Sequence, residues 1–216
     1  MAKIVTSLGS GATPDQMIIK GTKFLRKDPV LKKIIDKVGP CQLSPKKDYF
    51  FILCDSIISQ QLSVKVSNVI LERFRKHCKK GKYPTAASVL ACKDEELRAL
   101  GLSYQKITYL KDLAMHFQTK KIVPKKFHNL TDEEIITELV EVKGIGRWTA
   151  EMFLIFSLCR LDVWPVDDLG IKKGVQKVYG LKTLPTGKEL LLFEQKKSWR
   201  PYRSIASWYL WRSLSE

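Results

Sequence analysis

The sequence lacks the paired cysteines that mark metal clusters and disulfide frameworks. It contains five cysteines, an odd number, and no two of them form a C-x-x-C pair. Zinc and iron–sulfur sites therefore have no support from cysteine spacing, and reduced thiols in a cytosol or nucleus are the simplest interpretation. The five are Cys41, Cys54, Cys78, Cys92 and Cys159.

Long hydrophobic runs are also missing. The longest, such as Met152 to Cys159, are far too short to span a bilayer. The first residues, MAKIVTSLGSG, contain no long apolar segment, so we expect no signal peptide. No repeat of solenoid period and no low-complexity tract occurs. The sequence thus predicts a globular protein without a membrane partner.

Acidic residues are few relative to basic ones, with 22 Asp and Glu against 38 Lys and Arg and a formal charge of +16. Such an excess favours a polyanion, above all nucleic acid, because each neutralised phosphate releases condensed counterions. The alternative is a basic surface that serves only solubility. With 216 residues, 44% of them hydrophobic, the chain can form one large domain or two small subdomains.

The pattern along the chain is helical nearly throughout. Asp28-Pro29 predicts a helix start and Gly39-Pro40 its end. The stretch from Tyr49 to Ile58 is rich in β-forming residues, but its length and polar end favour a buried helix. Thr131 and Glu134 form a capping box for the helix that leads into a glycine-rich turn.

A further helix is predicted to begin at the capping residue Ser63 and to end at Gly81. Val66, Val69, Ile70 and Phe74 recur along it at helical spacing and are expected to form its apolar face. We expect four large aromatic residues near the C-terminus in the core or between subdomains, namely Trp164, Trp199, Trp208 and Tyr209. The three histidines share no ligand spacing and are expected on the surface; they are His77, His116 and His128. The run KKGK, from Lys79 to Lys82, fits a solvated loop and a phosphate contact equally well.

The segment LVEVKGIGRWTA predicts two helices joined by a tight hairpin. Its glycines allow a sharp turn and a close approach to another surface, and Ile145 at the tip is expected to pack inward. Free N–H groups at the start of the next helix would attract an anion, so the hairpin is a candidate for binding a phosphate backbone. The alternative is an ordinary helix–turn–helix with a glycine cap. The candidate phosphate contacts are Lys143, Gly144, Gly146, Arg147 and Thr149.

Two adjacent carboxylates, Asp167 and Asp168, follow Pro165 and precede another predicted helix. Asp before a helix is usually an N-cap, and by itself that would explain one of them. Two adjacent acids would repel a polyanion, so their presence in a chain that binds one suggests a role near the bound ligand. Since only one acid is needed as a cap, the other is expected to have that role. It could stabilise positive charge on a sugar or orient a water molecule.

The segments KGIGRWTAEMF, WPVDDLGIKKG, WRPYRSIASWYLW and SIISQQLSVKV together resemble the helix-hairpin-helix superfamily of DNA glycosylases. The resemblance runs from about Val38 to Arg212 and is strongest to the alkylation-repair branch, the 3-methyladenine DNA glycosylase II type. It implies an all-α fold with two helical subdomains flanking a cleft, and a hairpin followed by a Gly/Pro/Asp loop. We place the middle subdomain at about residues 45–130 and the hairpin subdomain at about 15–44 plus 131–216.

The same resemblance implies hydrolysis of the N-glycosidic bond of a flipped-out alkylated purine in double-stranded DNA. The expected protein is a monomer that requires no cofactor and works in the cytoplasm (nucleoid), or in the nucleus if the source is eukaryotic. A structural Na⁺ or K⁺ is expected at the hairpin. The implied residues are Asp168 for catalysis; Trp148, Trp211 and Met152 for the base pocket; Gln60, Gln61 or Leu62 as the wedge; and the carbonyls of Val140, Val142 and Ile145 for the cation.

Two departures bear on the reaction. Bifunctional relatives carry a Schiff-base lysine where this chain has Trp148, so a lyase step is not expected. A tyrosine that lines the pocket in some relatives is Met152 here, which leaves the base preference open. The alternatives are a lyase-type glycosylase for oxidised or mismatched bases and a non-enzymatic DNA-binding module.

Overall fold

The structure, a computed structural model, describes residues 12–215. The regular secondary structure of this part of the chain is almost entirely helical, which confirms the predicted all-α class. A 3₁₀ helix covers Pro124–Asn129, and β1 (Lys79–Lys80) pairs antiparallel with β2 (Tyr83–Pro84). The α-helices are α1 (Pro14–Leu25), α2 (Pro29–Val38), α3 (Tyr49–Ser59), α4 (Val64–Cys78), α5 (Ala86–Ala91), α6 (Asp94–Ala99), α7 (Tyr104–Gln118), α8 (Asp132–Val140), α9 (Arg147–Phe156), α10 (Leu169–Tyr179), α11 (Gly187–Lys197) and α12 (Arg203–Arg212).

The chain folds into two compact units. Among the described residues, the middle unit consists of 47–153 and the terminal unit of 12–46 and 154–215. The predicted second boundary lies near residue 130, whereas the two units of the structure divide within α9. The hairpin before α9 therefore lies in the middle unit. None of the helices among residues 12–215 is both long enough and apolar enough to cross a lipid bilayer.

The middle unit is built around α3 and α7. Tyr49–Ser59 is helical in spite of its β-forming residues, as predicted, and Leu53 and Ile57 of this helix are fully buried. Helix α3 packs on α7, whose buried face includes Leu110 and Leu113. Helix α7 also packs against α5, so this unit has one continuous apolar core.

Helix α4 ends earlier than predicted. Ser63 is its N-cap, as predicted, but the helix ends at Cys78 and the strand pair follows. Ile70 and Phe74 are buried, whereas Val66 and Val69 are 46% and 47% exposed. Helical spacing places side chains on one face but does not determine how far a neighbouring element covers it. The four residues do recur at helical spacing, as predicted, but only the part of this face at Ile70 and Phe74 is covered.

The histidine prediction also needs correction. His77 and His128 are exposed, as expected, but His116 is buried and its Nδ1 lies 2.9 Å from the carbonyl oxygen of Asp112 one helical turn earlier. The 3.6-residue period of α7 turns this position towards the core, and the spacing of one histidine from the next carries no information on burial.

The terminal unit is centred on α12, which packs on α1, α2 and α10. Every residue from Ser204 to Leu210 is buried. The predicted core residues Trp164, Trp199, Trp208 and Tyr209 are all buried as well. Close helix packing depends on small residues, since a Cβ on Gly174 would lie 2.9 Å from the carbonyl oxygen of Leu210.

A buried carboxylate joins three elements of this unit. Asp28 is the N-cap of α2, as predicted, and its Oδ1 accepts from the amide of Val30. Its Oδ2 accepts from the Tyr179 hydroxyl at 2.8 Å and from the Trp199 indole at 3.3 Å. Burial acts to raise the pKa of Asp28, but these donors and nearby Lys197 outweigh it, so the pKa lies below its usual value.

Candidate functional site

The hairpin between α8 and α9 has the geometry that its two glycines predict. Thr131 and Glu134 form the predicted capping box at the start of α8. After α8, the amide of Ile145 donates to the carbonyl of Val142 at 3.0 Å, and Gly144 has a φ of +84°. A Cβ at Gly144 would lie 2.2 Å from the ring of Tyr109, so only glycine fits this position without rearrangement.

Two side chains from other helices hold the hairpin in place. The Gln60 side-chain amide donates to the carbonyl of Gly144 at 2.7 Å. The Asp112 carboxylate accepts from the amide of Lys143 at 2.9 Å. Ile145 is buried, which confirms that the tip packs inward. Hydrogen bonds from α7 and from the residue that follows α3 therefore hold the hairpin in place.

The five candidate phosphate contacts differ in accessibility. Lys143, Gly146 and Arg147 are exposed, Gly144 is half-buried, and Thr149 is buried. The Lys143 amide donates to Asp112, which leaves its side chain as the group of this residue that can reach a phosphate. The phosphate assignment stays a prediction, now best supported for the exposed positions.

Arg147 is held by two carboxylates of the same unit. Its Nη1 donates to Glu133 at 2.9 Å and its Nε donates to Glu151 at 3.2 Å. The guanidinium holds the pKa of Glu133 below its usual value through this hydrogen bond. A phosphate would have to compete with these acids for Arg147, or bind the part of its side chain that stays exposed.

The wedge candidates are separated by their hydrogen bonds. Gln60 uses its side-chain amide on Gly144, whereas Gln61 and Leu62 are exposed. Gln61 has a φ of +58°, a left-handed conformation that places it at the point of a turn. Lys106 donates to the carbonyls of Ile58 and Gln60, at 2.7 and 2.8 Å, and so braces the base of this loop. Burial lowers the pKa of Lys106.

The carbonyls predicted to hold a monovalent cation lie on this hairpin. The Val142 oxygen already accepts from the amide of Ile145. A carbonyl oxygen has two lone pairs, so this hydrogen bond is compatible with the predicted site. The cation, with Val140, Val142 and Ile145 as its ligands, stays a prediction.

In the terminal unit, Asp168 is a buried N-cap. It precedes α10, and its side chain is 7% exposed. One of its oxygens, Oδ1, accepts from the amide of Ile171 at 2.7 Å and from the indole Nε1 of Trp211 at 2.8 Å. Asp167, by contrast, is largely exposed and lies 3.9 Å from the Lys172 ammonium. Only Asp168 is held rigidly by donors that favour negative charge.

Trp211 is fixed by its ring as well as by its N–H group. The ring packs on Phe156, with 5.4 Å between centroids and 33° between planes. A Cβ at Gly170 would lie 2.8 Å from the indole, so the absence of a side chain there allows the ring to approach α10. The structure thus gives Trp211 a second role, that of holding Asp168, beside its predicted place in the base pocket.

The other predicted pocket residues lie on α9. Trp148 is in the first turn of this helix and is 51% exposed, and Met152, one turn later, is half-buried. Their assignment to the base pocket stays a prediction. An exposed indole has the chemical character needed to stack on a nucleobase.

Several residues that shape these sites could not be found from the sequence. Tyr109, Asp112 and Lys106 lie on α7, about 30 to 50 positions from their partners, and no local pattern connects them. Phe156 is likewise one of several apolar residues of α9, and nothing in the sequence pairs it with Trp211. Only a spatial contact identifies such residues.

Comparison with known proteins defines the class. The sequence profile of the HhH-GPD superfamily of base excision DNA repair proteins matches residues 54–201. The chain belongs to this superfamily, in agreement with the hairpin and the capped Asp168.

The similarity extends to individual relatives. The chain is 37% identical over 185 residues to DNA-3-methyladenine glycosylase 1 of Schizosaccharomyces pombe, covering 85% of this chain and 80% of that protein. It is 33% identical over 183 residues to the alkylbase DNA glycosidase-like protein mag2 of the same yeast, covering 83% and 85%.

Solved structures give the same result. The S. pombe 3-methyladenine DNA glycosylase in complex with abasic DNA matches with a TM-score of 0.80 and 35% identity, covering 91% of this chain and 97% of that one. A DNA-3-methyladenine glycosidase from Bacillus halodurans also matches with a TM-score of 0.80, at 34% identity, covering 94% and 91%.

Proposed function

We propose that this protein is a monofunctional DNA glycosylase that removes alkylated purines of the 3-methyladenine and 7-methylguanine type. It hydrolyses the N-glycosidic bond in double-stranded DNA and leaves an abasic site for base excision repair. The relatives named as 3-methyladenine glycosylases, similar over most of both chains, support the substrate class. The observation that carries the chemistry is the buried Asp168 carboxylate, held by the amide of Ile171 and the indole of Trp211.

The first step is extrusion of the damaged nucleotide. Unstacking costs a few kcal/mol, and less at a damaged or mispaired base. The exposed Gln61 and Leu62 are the candidates to fill the gap left in the duplex, because Gln60 is engaged with the hairpin. Lys106 supports this step by holding the loop at its base.

The damaged base then binds through its charge. A purine alkylated at N3 or N7 is cationic, and a cation over an indole face gains about 0.5–2 kcal/mol. Trp148, half exposed at the start of α9, is suited to this contact, and Trp211 is the second candidate. Met152 would add an adaptable apolar contact.

Bond cleavage follows from the charge of the base. As the glycosidic bond breaks, its electron pair moves to the cationic purine, which departs neutral and needs no general acid. The sugar acquires oxocarbenium character, and the Asp168 carboxylate stabilises that positive charge. Water then adds its oxygen to the anomeric carbon and releases one proton to the solvent. No cofactor takes part in these steps.

The surroundings of Asp168 suit this role. Two N–H donors and the N-terminus of α10 all favour negative charge on its Oδ1 oxygen. A carboxylate fixed in this way is pre-organised, so it need not reorient as charge develops on the sugar.

Binding to the duplex is expected to be electrostatic and independent of sequence. The formal charge of +16 and the exposed Lys143 and Gly146 of the hairpin support contacts with the phosphate backbone. We propose that the protein acts as a monomer, in the cytoplasm or the nucleus according to its source.

Duplex oligonucleotides with a single lesion test the function. We expect release of free 3-methyladenine and 7-methylguanine and no release from undamaged DNA. Borohydride should trap no covalent adduct on abasic DNA, because Trp148 occupies the position of the Schiff-base lysine. Trapping would indicate a lyase-type enzyme, and DNA binding without base release would indicate a non-enzymatic module.

A further inference from the structure

A group of metal-binding residue types lies at one edge of the middle unit, away from the hairpin in sequence. His77 is in the last turn of α4, Cys92 is the C-cap of α5, and Glu96 is in the first turn of α6. Each offers one ligand atom, and these atoms lie within 4.8 Å of one another. Their spacing along the chain matches no metal motif, so the sequence did not indicate this group.

A second thiol adjoins the group. The Sγ atoms of Cys78 and Cys92 are 3.4 Å apart, and Nε2 of His77 lies 3.9 Å from Oε2 of Glu96. A tetrahedral zinc ion has bonds of about 2.0–2.3 Å, which places neighbouring ligand atoms about 3.3–3.8 Å apart. Small side-chain rotations would therefore bring the His77, Cys92 and Glu96 donors to these distances. The Cys78 thiol is near Cys92 but outside this group, so its side chain would have to turn further to complete the tetrahedron.

We propose that His77, Cys92 and Glu96, with Cys78 as the fourth ligand, bind a zinc ion. A set of two sulfurs, one nitrogen and one oxygen suits a borderline-soft cation and does not suit Mg²⁺ or Ca²⁺, which require oxygen ligands. Three ligands lie at a half-buried or exposed edge, so an ion can enter from solvent, while Cys78 closes the site from the core side.

Zinc binding would change the protonation of the thiols. Without a metal, burial raises the pKa of Cys78, and its hydrogen bond with Cys92 adds to this effect. Coordination replaces the proton on each sulfur by the metal and releases two protons. The occupied site would have two thiolates and one carboxylate against the double charge of zinc, a net charge of −1 in a chain whose formal charge is +16.

The existing hydrogen bonds show what the ion would replace. The Cys92 thiol donates to the carbonyl of Ser88 at 3.2 Å, and this weak bond would be lost. Glu96 accepts from the amide of Lys93 at 2.8 Å, and a carboxylate has enough lone pairs to keep this cap while it coordinates an ion.

The ion would fasten the end of α4 to the junction of α5 and α6. The chain between these points forms the strand pair β1–β2 and helix α5, and the strand pair with its turn carries the basic run from Lys79 to Lys82. Closing this segment with a metal would restrict its motion. This role is structural and does not depend on the proposed glycosylase activity.

Metal titration of the full-length protein tests the proposal. Reduced protein is treated with a chelator under anaerobic conditions, dialysed and titrated with Co²⁺, whose visible absorption reports tetrahedral thiolate coordination, and then with Zn²⁺. We expect one metal ion per chain, tighter binding as the pH rises, and a higher melting temperature with Zn²⁺.

Matched variants locate the ligands. His77→Gln, Cys92→Ser and Glu96→Gln should each lower the affinity by on the order of a hundredfold, since each removes one of few ligands. His77 and Glu96 are exposed, so their variants should fold normally. His128→Gln and Cys159→Ser serve as controls outside the group and should bind as the wild type does.

Three results would overturn the proposal. The first is no metal binding by the reduced wild-type protein. The second is metal affinity equal to that of the wild type in the His77, Cys92 and Glu96 variants. The third is a Co²⁺ spectrum without thiolate bands. A Cys78–Cys92 disulfide that forms in air, with no metal bound under reducing conditions, would identify the pair as a redox pair instead.

Discussion

The hydrogen bond between Trp211 and Asp168 provides a sharp test of how the carboxylate is held. Trp211→Phe removes the indole N–H group that donates to Oδ1 at 2.8 Å, but keeps an aromatic ring to pack on Phe156. The amide of Ile171 remains as the other donor to the same oxygen. The substitution therefore perturbs how Asp168 is held, with little change in packing.

The size of the effect follows from the nature of the bond. A hydrogen bond to a charged group contributes about 1.5–3 kcal/mol. If this free energy is fully expressed in the transition state, base release should slow by about 10- to 150-fold, because each 1.36 kcal/mol corresponds to tenfold in rate. The loss should appear in the chemical step, with DNA affinity nearly unchanged.

Single-turnover release of 7-methylguanine, with the enzyme in excess, measures that step without interference from product release. Trp208→Phe is a matched control, since it changes another buried indole of α12 that packs on Tyr209. Trp211→Ala separates the role of the ring from that of the N–H group. A wild-type rate for Trp211→Phe, together with a large loss for Trp211→Ala, would show that the ring alone matters and would refute the positioning role.

Two stability predictions follow from other contacts. Gly144→Ala should destabilise the fold by about 2 kcal/mol or more, because φ is positive and the new methyl group meets the Tyr109 ring, whereas Gly146→Ala meets no atom within 4 Å and should have little effect in the same thermal melts. Tyr179→Phe should cost about 1–2 kcal/mol at neutral pH, since Asp28 loses a buried donor. The pKa of Asp28 is lower in the folded protein than its usual value of 3.8, so ionised Asp28 stabilises the fold at pH values above 3.8. This contribution disappears as the pH falls through the folded-state pKa. The difference in stability between the wild type and Tyr179→Phe should therefore shrink in acid. Equal melting temperatures for the two glycine variants, or a Tyr179→Phe penalty that grows in acid, would contradict these accounts.

Much of the fold was predictable because local signals agreed with the final packing. The caps at Asp28 and Thr131 were predicted from residue type and position, and each is formed. A cap was also predicted at one of the two adjacent acids, and Asp168 provides it. The buried helix Tyr49–Ser59 was predicted from its length and its polar end. In these places a hydrogen bond or a burial pattern spans only a few residues, so the sequence contains the whole feature.

The rest depends on contacts between distant residues. Asp168 and Trp211 are 43 positions apart, and no periodicity connects an indole N–H group with a particular carboxylate. The exposed Val66 could not be separated from the buried Ile70, because helical spacing does not specify where a neighbouring element ends. The proposed zinc ligands come from three separate elements for the same reason.

The central claim is that the Asp168 carboxylate stabilises the developing charge on the sugar. Asp168→Asn tests it most directly, because asparagine is also a good N-cap and the fold of α10 should persist. The account predicts that the variant still binds duplex DNA, with single-turnover base release slowed by on the order of a hundredfold or more. A folded variant that releases the methylated base at nearly the wild-type rate would contradict the account.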